Sequence, residues 1–204
     1  MLGSNLVIGT WGNLSARVAD SGYVAITPSG IPYDEIMQED IVIIDLEGNV
    51  VDGKRKPSTE VPLHLAVYKG RPEARAVVHT HSTWATILAC AHRGIPPVVE
   101  ELVQIVGGGV KVASYALPGT PELGRYALEA AEGRNAVLLA NHGVVGFASS
   151  LAEALKICLI VEKAAQMTVL GGLVGGLKSL SQEDIDFMRS YYLNQYGQRD
   201  FPAA

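Results

Sequence analysis

The stretch ARAVVHTHSTWATILACAHRG, residues 74–94, constrains the fold more than any other. Its first half is short, apolar and β-branched, which predicts a buried strand. It runs straight into a helical pattern opened by Ser82 or Thr83 and stopped by Gly94. The order recurs downstream, where NAVLLANHG (135–143) reads as a strand and SLAEALKICLIVEKAAQMTVLGG as a long helix. Upstream, YVAIT (23–27) and DIVIIDL (40–46) read as strands ended by turns at Pro28-Ser29-Gly30 and Glu47-Gly48-Asn49. STEVPLHLAVYKG has helical spacing, with Ser58 or Thr59 as the expected N-cap and Pro62 in the first turn. Thr120-Pro121-Glu122 opens a further helix, whereas VVEELVQIVGGG (98–109) fits either a helix or a strand with a loop. No repeat or low-complexity linker interrupts this alternation. The expectation is one domain, residues 1–204, of the α/β class.

Of the 204 residues, 48% are hydrophobic and 18% charged, which is enough apolar chain for a substantial core. A formal charge of −5 leaves no basic footprint, so neither nucleic acid nor a membrane surface is an expected partner. Cys90 and Cys158 sit in apolar helical stretches and are expected to be buried, reduced thiols in a cytoplasmic protein. The opening MLGSNLVIGTWGNLS has no basic start and no long apolar run, so no secretory leader is expected. The most apolar stretch, 152–177, is broken by Lys156, Glu162, Lys163 and four glycines, which predicts a core or interface helix rather than a membrane span. No glycine-rich dinucleotide fingerprint follows a strand.

His79 and His81 stand two apart at the end of a predicted strand, where residues of that spacing share one face. Alone, such a pair is either half of a metal site or two hydrogen-bonded polar groups. His142 also lies where an apolar strand breaks, beside Gly143. Three imidazoles at two strand ends suit a Zn²⁺ that keeps one position open. Three imidazoles equally suit Mn²⁺, Co²⁺ or Fe²⁺. Glu60, expected in the first turn of its helix, is the fourth donor candidate, with an ordinary helix-start glutamate as the alternative. His64, one turn later on the same face, reads as a supporting residue rather than a ligand, and His92 as a solvated residue at a helix end. Three turns, Gly12-Asn13-Leu14-Ser15, Thr27-Pro28-Ser29-Gly30 and Pro57-Ser58-Thr59, carry hydroxyl or amide groups. The last also opens a helix with free N–H groups, and together they suggest a phosphorylated small molecule as substrate.

GTWGNLS, ITPSGIPYDE, KPSTEVPLH, AVVHTHS, YALPGT, AVLLANHG and QYGQR run from Gly9 to Arg199. In this order and spacing they resemble the class II aldolase/epimerase family of fuculose-phosphate aldolase and ribulose-phosphate 4-epimerase. The resemblance implies a three-layer α/β/α sandwich around a mainly antiparallel sheet, assembled as a homotetramer with sites between subunits. It places the metal on His79, His81 and His142, makes Glu60 the nearby base, and assigns phosphate binding to Asn13, Ser29, Gly30, Ser58 and Thr59, the last in place of a serine. The implied activity is retro-aldol cleavage of a phosphorylated ketose to dihydroxyacetone phosphate and an aldehyde. Glu101 replaces the tyrosine with which the aldolases protonate the aldehyde oxygen. In that respect the chain is similar to methylthioribulose-phosphate dehydratases, which carry a glutamate there, and a sugar-phosphate dehydratase is the alternative activity. An exposed acidic pair, Glu100 and Glu101, is the plain alternative for those two residues. Tyr196 matches the C-terminal tyrosine that the aldolases send into a neighbour's site, with a structural role as its alternative. A 4-epimerase and a silent scaffold resembling the head of the adducins complete the alternatives. The segment before GTWGNLS is shorter than the family's first helix.

Overall fold

A computed structural model describes residues 1–19 and 21–197. Its strands are β1 (Asn13–Val18), β2 (Tyr23–Ile26), β3 (Val42–Ile44), β4 (Val50–Asp52), β5 (Ala76–Thr80), β6 (Val112–Ala113), β7 (Ala136–Leu139) and β8 (Gly143–Ala148). The α-helices are α1 (Val61–Gly70), α2 (Thr83–Cys90), α3 (Glu100–Val106), α4 (Pro121–Ala131), α5 (Leu151–Gly171) and α6 (Gln182–Asn194). The eight strands form one sheet in the order β4-β3-β2-β1-β5-β8-β7-β6, in which only the β6–β7 pair is parallel.

Side-chain alternation assigns the two faces of the sheet. Val77, Val137, Leu139, Val145 and Phe147 pack with Leu63 and Val67 of α1 and with Leu123 and Ala127 of α4. Ala136, Leu138 and Val144 turn the other way, against α2, α3 and α5. The result is helices on both sides of a mixed sheet, the α/β/α sandwich expected. Leu151–Val174 is the one stretch among the described residues long and apolar enough to cross a membrane. In this fold it is α5 with its following turn, and Ala154, Ile157, Cys158, Val161, Ala164 and Ala165 are buried along one side of the helix.

Several local readings change. GNLS is not a turn: Asn13 begins β1 and pairs in register with His79. Ser58 and Thr59 do not cap α1, because Glu60 itself is the N-cap residue and the Ser58 hydroxyl instead accepts the Glu60 N–H at 3.2 Å. The Ser82 side chain likewise leaves α2 uncapped; the Glu162 carboxylate, reaching from α5, accepts from the N–H groups of Trp84 and Ala85, each at 2.9 Å. Cys90 is exposed, because it ends α2 on the outward side, whereas Cys158 is buried. VVEELVQIVGGG resolves into α3 and a glycine turn in which Gly107 and Gly108 take positive φ.

Two glycines let backbones close around the end of β5. A Cβ on Gly143 would lie 2.3 Å from the Thr80 carbonyl oxygen, and one on Gly12 would lie 2.7 Å from that of His79. Both approaches exclude any side chain.

Candidate active site

Antiparallel pairing brings the start of β1, the end of β5 and the β7–β8 turn to one edge of the sheet, beside the start of α1. His79 lies on the central strand β5, opposite Asn13 on one side and Val145 on the other. His81 follows on the same face, and His142 enters from the β7–β8 turn after Asn141, which has φ 56°. Glu60 arrives from the cap of α1. One donor atom from each of the four lies within 4.8 Å of the others.

The tautomer of His79 follows from its surroundings. Nδ1 donates to the Val144 carbonyl at 3.0 Å, which leaves the Nε2 lone pair facing the cluster. That atom is 2.9 Å from His81 Nε2, 3.2 Å from His142 Nε2 and 3.0 Å from Glu60 Oε2. Acceptor atoms this close repel one another unless a cation or shared proton lies between them. Glu60 Oε1 is also buried with no hydrogen-bond partner. Three imidazole nitrogens and a carboxylate with an unsatisfied oxygen fit a divalent metal.

Burial first, and the neighbouring His79 second, push the imidazoles of His81 and His142 down from 6.5 to about 3 and about 4. Burial acts to raise the Glu60 carboxyl, but the neighbouring His79 and His142 and the hydrogen bond from Asn13 together hold it below the usual carboxylate range. Neutral imidazoles and an ionised carboxylate are the forms that bind metal. The buried neutral histidines make the metal-free protein sensitive to acid. Below pH 6.5 the unfolded chain takes up protons on His81 and His142 that the folded chain refuses until about pH 3 and 4. Stability is therefore full above 6.5 and falls as pH drops through that window. Urea midpoints of chelator-treated protein measured from pH 8 to pH 4 should show this decline; a flat profile above pH 5 would contradict it.

A cleft of ≈ 760 Å³ opens onto the cluster, and Asn13, Ser29, Gly30, Ser58, Thr59, Glu60, His81 and His142 all line it. Among the described residues its lining holds no Lys or Arg. The Ser29 hydroxyl, the Gly30 N–H and the Thr59 N–H and hydroxyl have no partner among the described residues. These neutral donors beside the start of α1 suit an anionic group. Asn13 differs from them, because Nδ2 donates to Glu60 Oε2 at 2.9 Å and Oδ1 lies 2.5 Å from His64 Nε2. A larger cleft, ≈ 830 Å³, is lined by α2, the glycine turn and α6, but no carboxylate or imidazole faces it.

Glu101 and Tyr196 do not join this cleft. Glu101 sits in the first turn of α3, ion-paired with Lys163 of α5, and Tyr196 is 55% exposed and stacked on Tyr192. Gln198 and Arg199 of QYGQR lie outside the described residues. His92 is exposed and meets Asn141 Oδ1 at 2.7 Å. Trp11, 5.8 Å from His81 between ring centroids, also lines the cleft together with Ile8 and Pro118. Pattern reading missed these three, since each stands in a loop with no periodicity to place it.

Metal-type donors at a sheet edge, sharing a cleft with free donors for an anion, define a metal-dependent enzyme of the α/β/α class. Residues 1–169 match the family model described as Class II Aldolase and Adducin N-terminal domain, and the chain belongs to that family. It is 37% identical over 199 residues to the 5-deoxy-D-ribulose 1-phosphate aldolase of Bacillus thuringiensis serovar kurstaki, covering 98% of this chain and 92% of that protein. It is 43% identical over 158 residues to the 5-methylthioribulose-1-phosphate/5-deoxyribulose-1-phosphate aldolase of Rhodospirillum rubrum, covering 78% and 70%. A solved L-fuculose 1-phosphate aldolase superposes with a TM-score of 0.90 at 41% identity, covering 94% of this chain and 90% of that one. The chain is therefore a class II aldolase-family enzyme.

Proposed function

We propose that this enzyme cleaves a ketose 1-phosphate to dihydroxyacetone phosphate and an aldehyde, with 5-deoxyribulose 1-phosphate the first substrate to test. The observation that carries this reading is the convergence of four metal-type donors and a row of free neutral donors on one cleft. His79, His81 and His142 would hold the metal, which we take to be Zn²⁺, with Mn²⁺ and Co²⁺ as substitutes. When bound, it would polarise the ketose carbonyl as a Lewis acid. Ser29, Gly30, Ser58 and Thr59 would seat the phosphate, and Asn13 would offer its one remaining N–H.

In cleavage a proton leaves the C4 hydroxyl, the C3–C4 bond breaks toward the C2 carbonyl, and a proton is delivered to C3. Glu60, ionised and buried at the donor cluster, is the group we assign to C3. Ile8, Trp11 and Pro118 would face a small apolar aldehyde, as a 5-deoxy sugar releases. The names of the relatives in Bacillus thuringiensis and Rhodospirillum rubrum support this substrate class. Metal-loaded protein incubated with a ketose 1-phosphate panel should yield triose phosphate in a coupled assay. A diketone without cleavage would instead establish the dehydratase reading.

Among the described residues lining the cleft we assign none to the C4 oxygen; we assign that proton to Glu101, with Tyr196 closing the site, both from a neighbouring copy in a homotetramer. Glu101 is half-exposed on the surface, where an adjacent subunit could receive it. Co-expressed His79→Ala and Glu101→Gln chains, separated by two tags as mixed oligomers, should recover activity that neither homo-oligomer has. Inactive mixed oligomers would remove Glu101 from the reaction. Two free thiols, one of them exposed, agree with a reducing, cytoplasmic location.

A further inference from the structure

Behind Glu60 a line of buried polar groups runs into the protein, and beyond Asn13 the assigned chemistry uses none of its members. Glu60 Oε2 accepts from Asn13 Nδ2 at 2.9 Å, and Asn13 Oδ1 meets His64 Nε2 at 2.5 Å. His64 Nδ1 meets Ser15 Oγ at 2.6 Å, and Ser15 Oγ meets the Tyr68 hydroxyl at 2.8 Å. Asn13, Ser15, His64 and Tyr68 are all at most 5% exposed. Two strand positions two apart on β1 and two helix positions one turn apart on α1 supply the four groups.

We infer that His64 is a positioning residue: its Nε2–H holds the Asn13 amide in the one orientation that donates to Glu60, and so fixes that carboxylate for proton transfer. The inference rests on Glu60 as the proton-transfer group, and hydrogen-bond polarity carries it. A carboxylate can only accept, so the Asn13 atom facing Glu60 must be the NH₂. Its carbonyl oxygen then faces His64, whose Nε2 must carry the hydrogen. Nδ1 is left as an acceptor, which the Ser15 O–H satisfies, and Ser15 Oγ in turn accepts from Tyr68. Every donor in the line points toward Glu60. The reverse polarity would set the Asn13 carbonyl against the Glu60 carboxylate, two acceptors in contact. Burial agrees with this arrangement, since it pushes His64 down to about 3 and Tyr68 up to about 12, so that both are neutral and each keeps one N–H or O–H to donate. Among the described residues His64 Nε2 is the side-chain donor that meets Asn13 Oδ1, so its removal leaves the amide held from the Glu60 side alone.

Two measurements test this. In ¹⁵N-labelled, zinc-loaded wild-type protein, a long-range ¹H–¹⁵N spectrum should show His64 as the neutral Nε2–H tautomer. An Nδ1–H tautomer or an imidazolium would overturn the inference, and this readout needs no substrate, so it stands apart from any failure of the aldolase assay. Turnover gives the second. His64→Phe and Asn13→Ala should each lower kcat by about 10- to 100-fold with metal content unchanged; KM should stay put in His64→Phe and rise in Asn13→Ala, which also loses a phosphate contact. The double variant should be no slower than Asn13→Ala alone, because His64 acts through Asn13. His64→Gln, whose amide can donate to Asn13 Oδ1, should recover most of the loss. Multiplying losses in the double variant, or wild-type kcat in a folded His64→Phe, would show that His64 serves packing only. Should His64→Phe not fold, the tautomer and the His64→Gln kcat decide.

Discussion

His79→Ala is expected to abolish metal retention and to lower turnover by at least about a thousand-fold. Lewis-acid stabilisation is worth several kcal/mol, and each 1.4 kcal/mol is tenfold in rate. His79 is the donor for which the fold offers no substitute. Its side chain is fully buried, its Nδ1–H is anchored on Val144, and its Nε2 is within 3.2 Å of the donor atoms of His81, His142 and Glu60. An alanine leaves two partly exposed imidazoles and a buried carboxylate around a cavity. Metal analysis of protein purified without chelator should drop from about one ion per chain, the content a single site predicts, to near zero. His142→Ala should follow in the same direction. Unchanged metal content in either variant would mean that the ion, if bound, sits elsewhere.

Glu60→Gln separates the two things this carboxylate could do. The amide keeps the shape and the contact with Asn13 but cannot take up or deliver a proton. If Glu60 acts as acid and base, turnover should fall by about 10²- to 10⁴-fold while the three histidines still hold the metal. KM should barely move, because no phosphate contact is lost. Exchange of the carbon-bound hydrogen of dihydroxyacetone phosphate with deuterated solvent should vanish in parallel. A parallel loss of metal would make Glu60 a structural ligand instead. Rapid exchange by the variant would hand the proton to another residue. The three imidazoles are the reason to expect the first outcome, since they supply three neutral donors without the carboxylate, one of whose oxygens is already held by Asn13.

Much of this site was legible in the chain. HTH at the end of an apolar run places two imidazoles on one face in any strand, because side chains alternate with a period of two. PSTE ahead of a helical pattern marks a helix start, and NHG after AVLL marks a strand end. Each of those is a local consequence of residue type. The sequence also misled locally, where distant partners override intrinsic preference. Asn13 looks like a turn residue but joins β1, because pairing with β5 satisfies its backbone beside His79. Ser82 looks like a cap, but Glu162 reaches the same N–H groups from eighty residues away.

By itself, then, the sequence determined which residues could bind a metal, which could seat an anion, and that strands and helices would alternate. Only the tertiary structure decided that they meet. The antiparallel order β1-β5-β8-β7 carries residues 13, 79 and 142 to one edge, and Gly12 and Gly143 permit the close approach there. The line from Tyr68 to Glu60 was equally invisible, since a hydrogen bond has a direction only once both of its partners are in place.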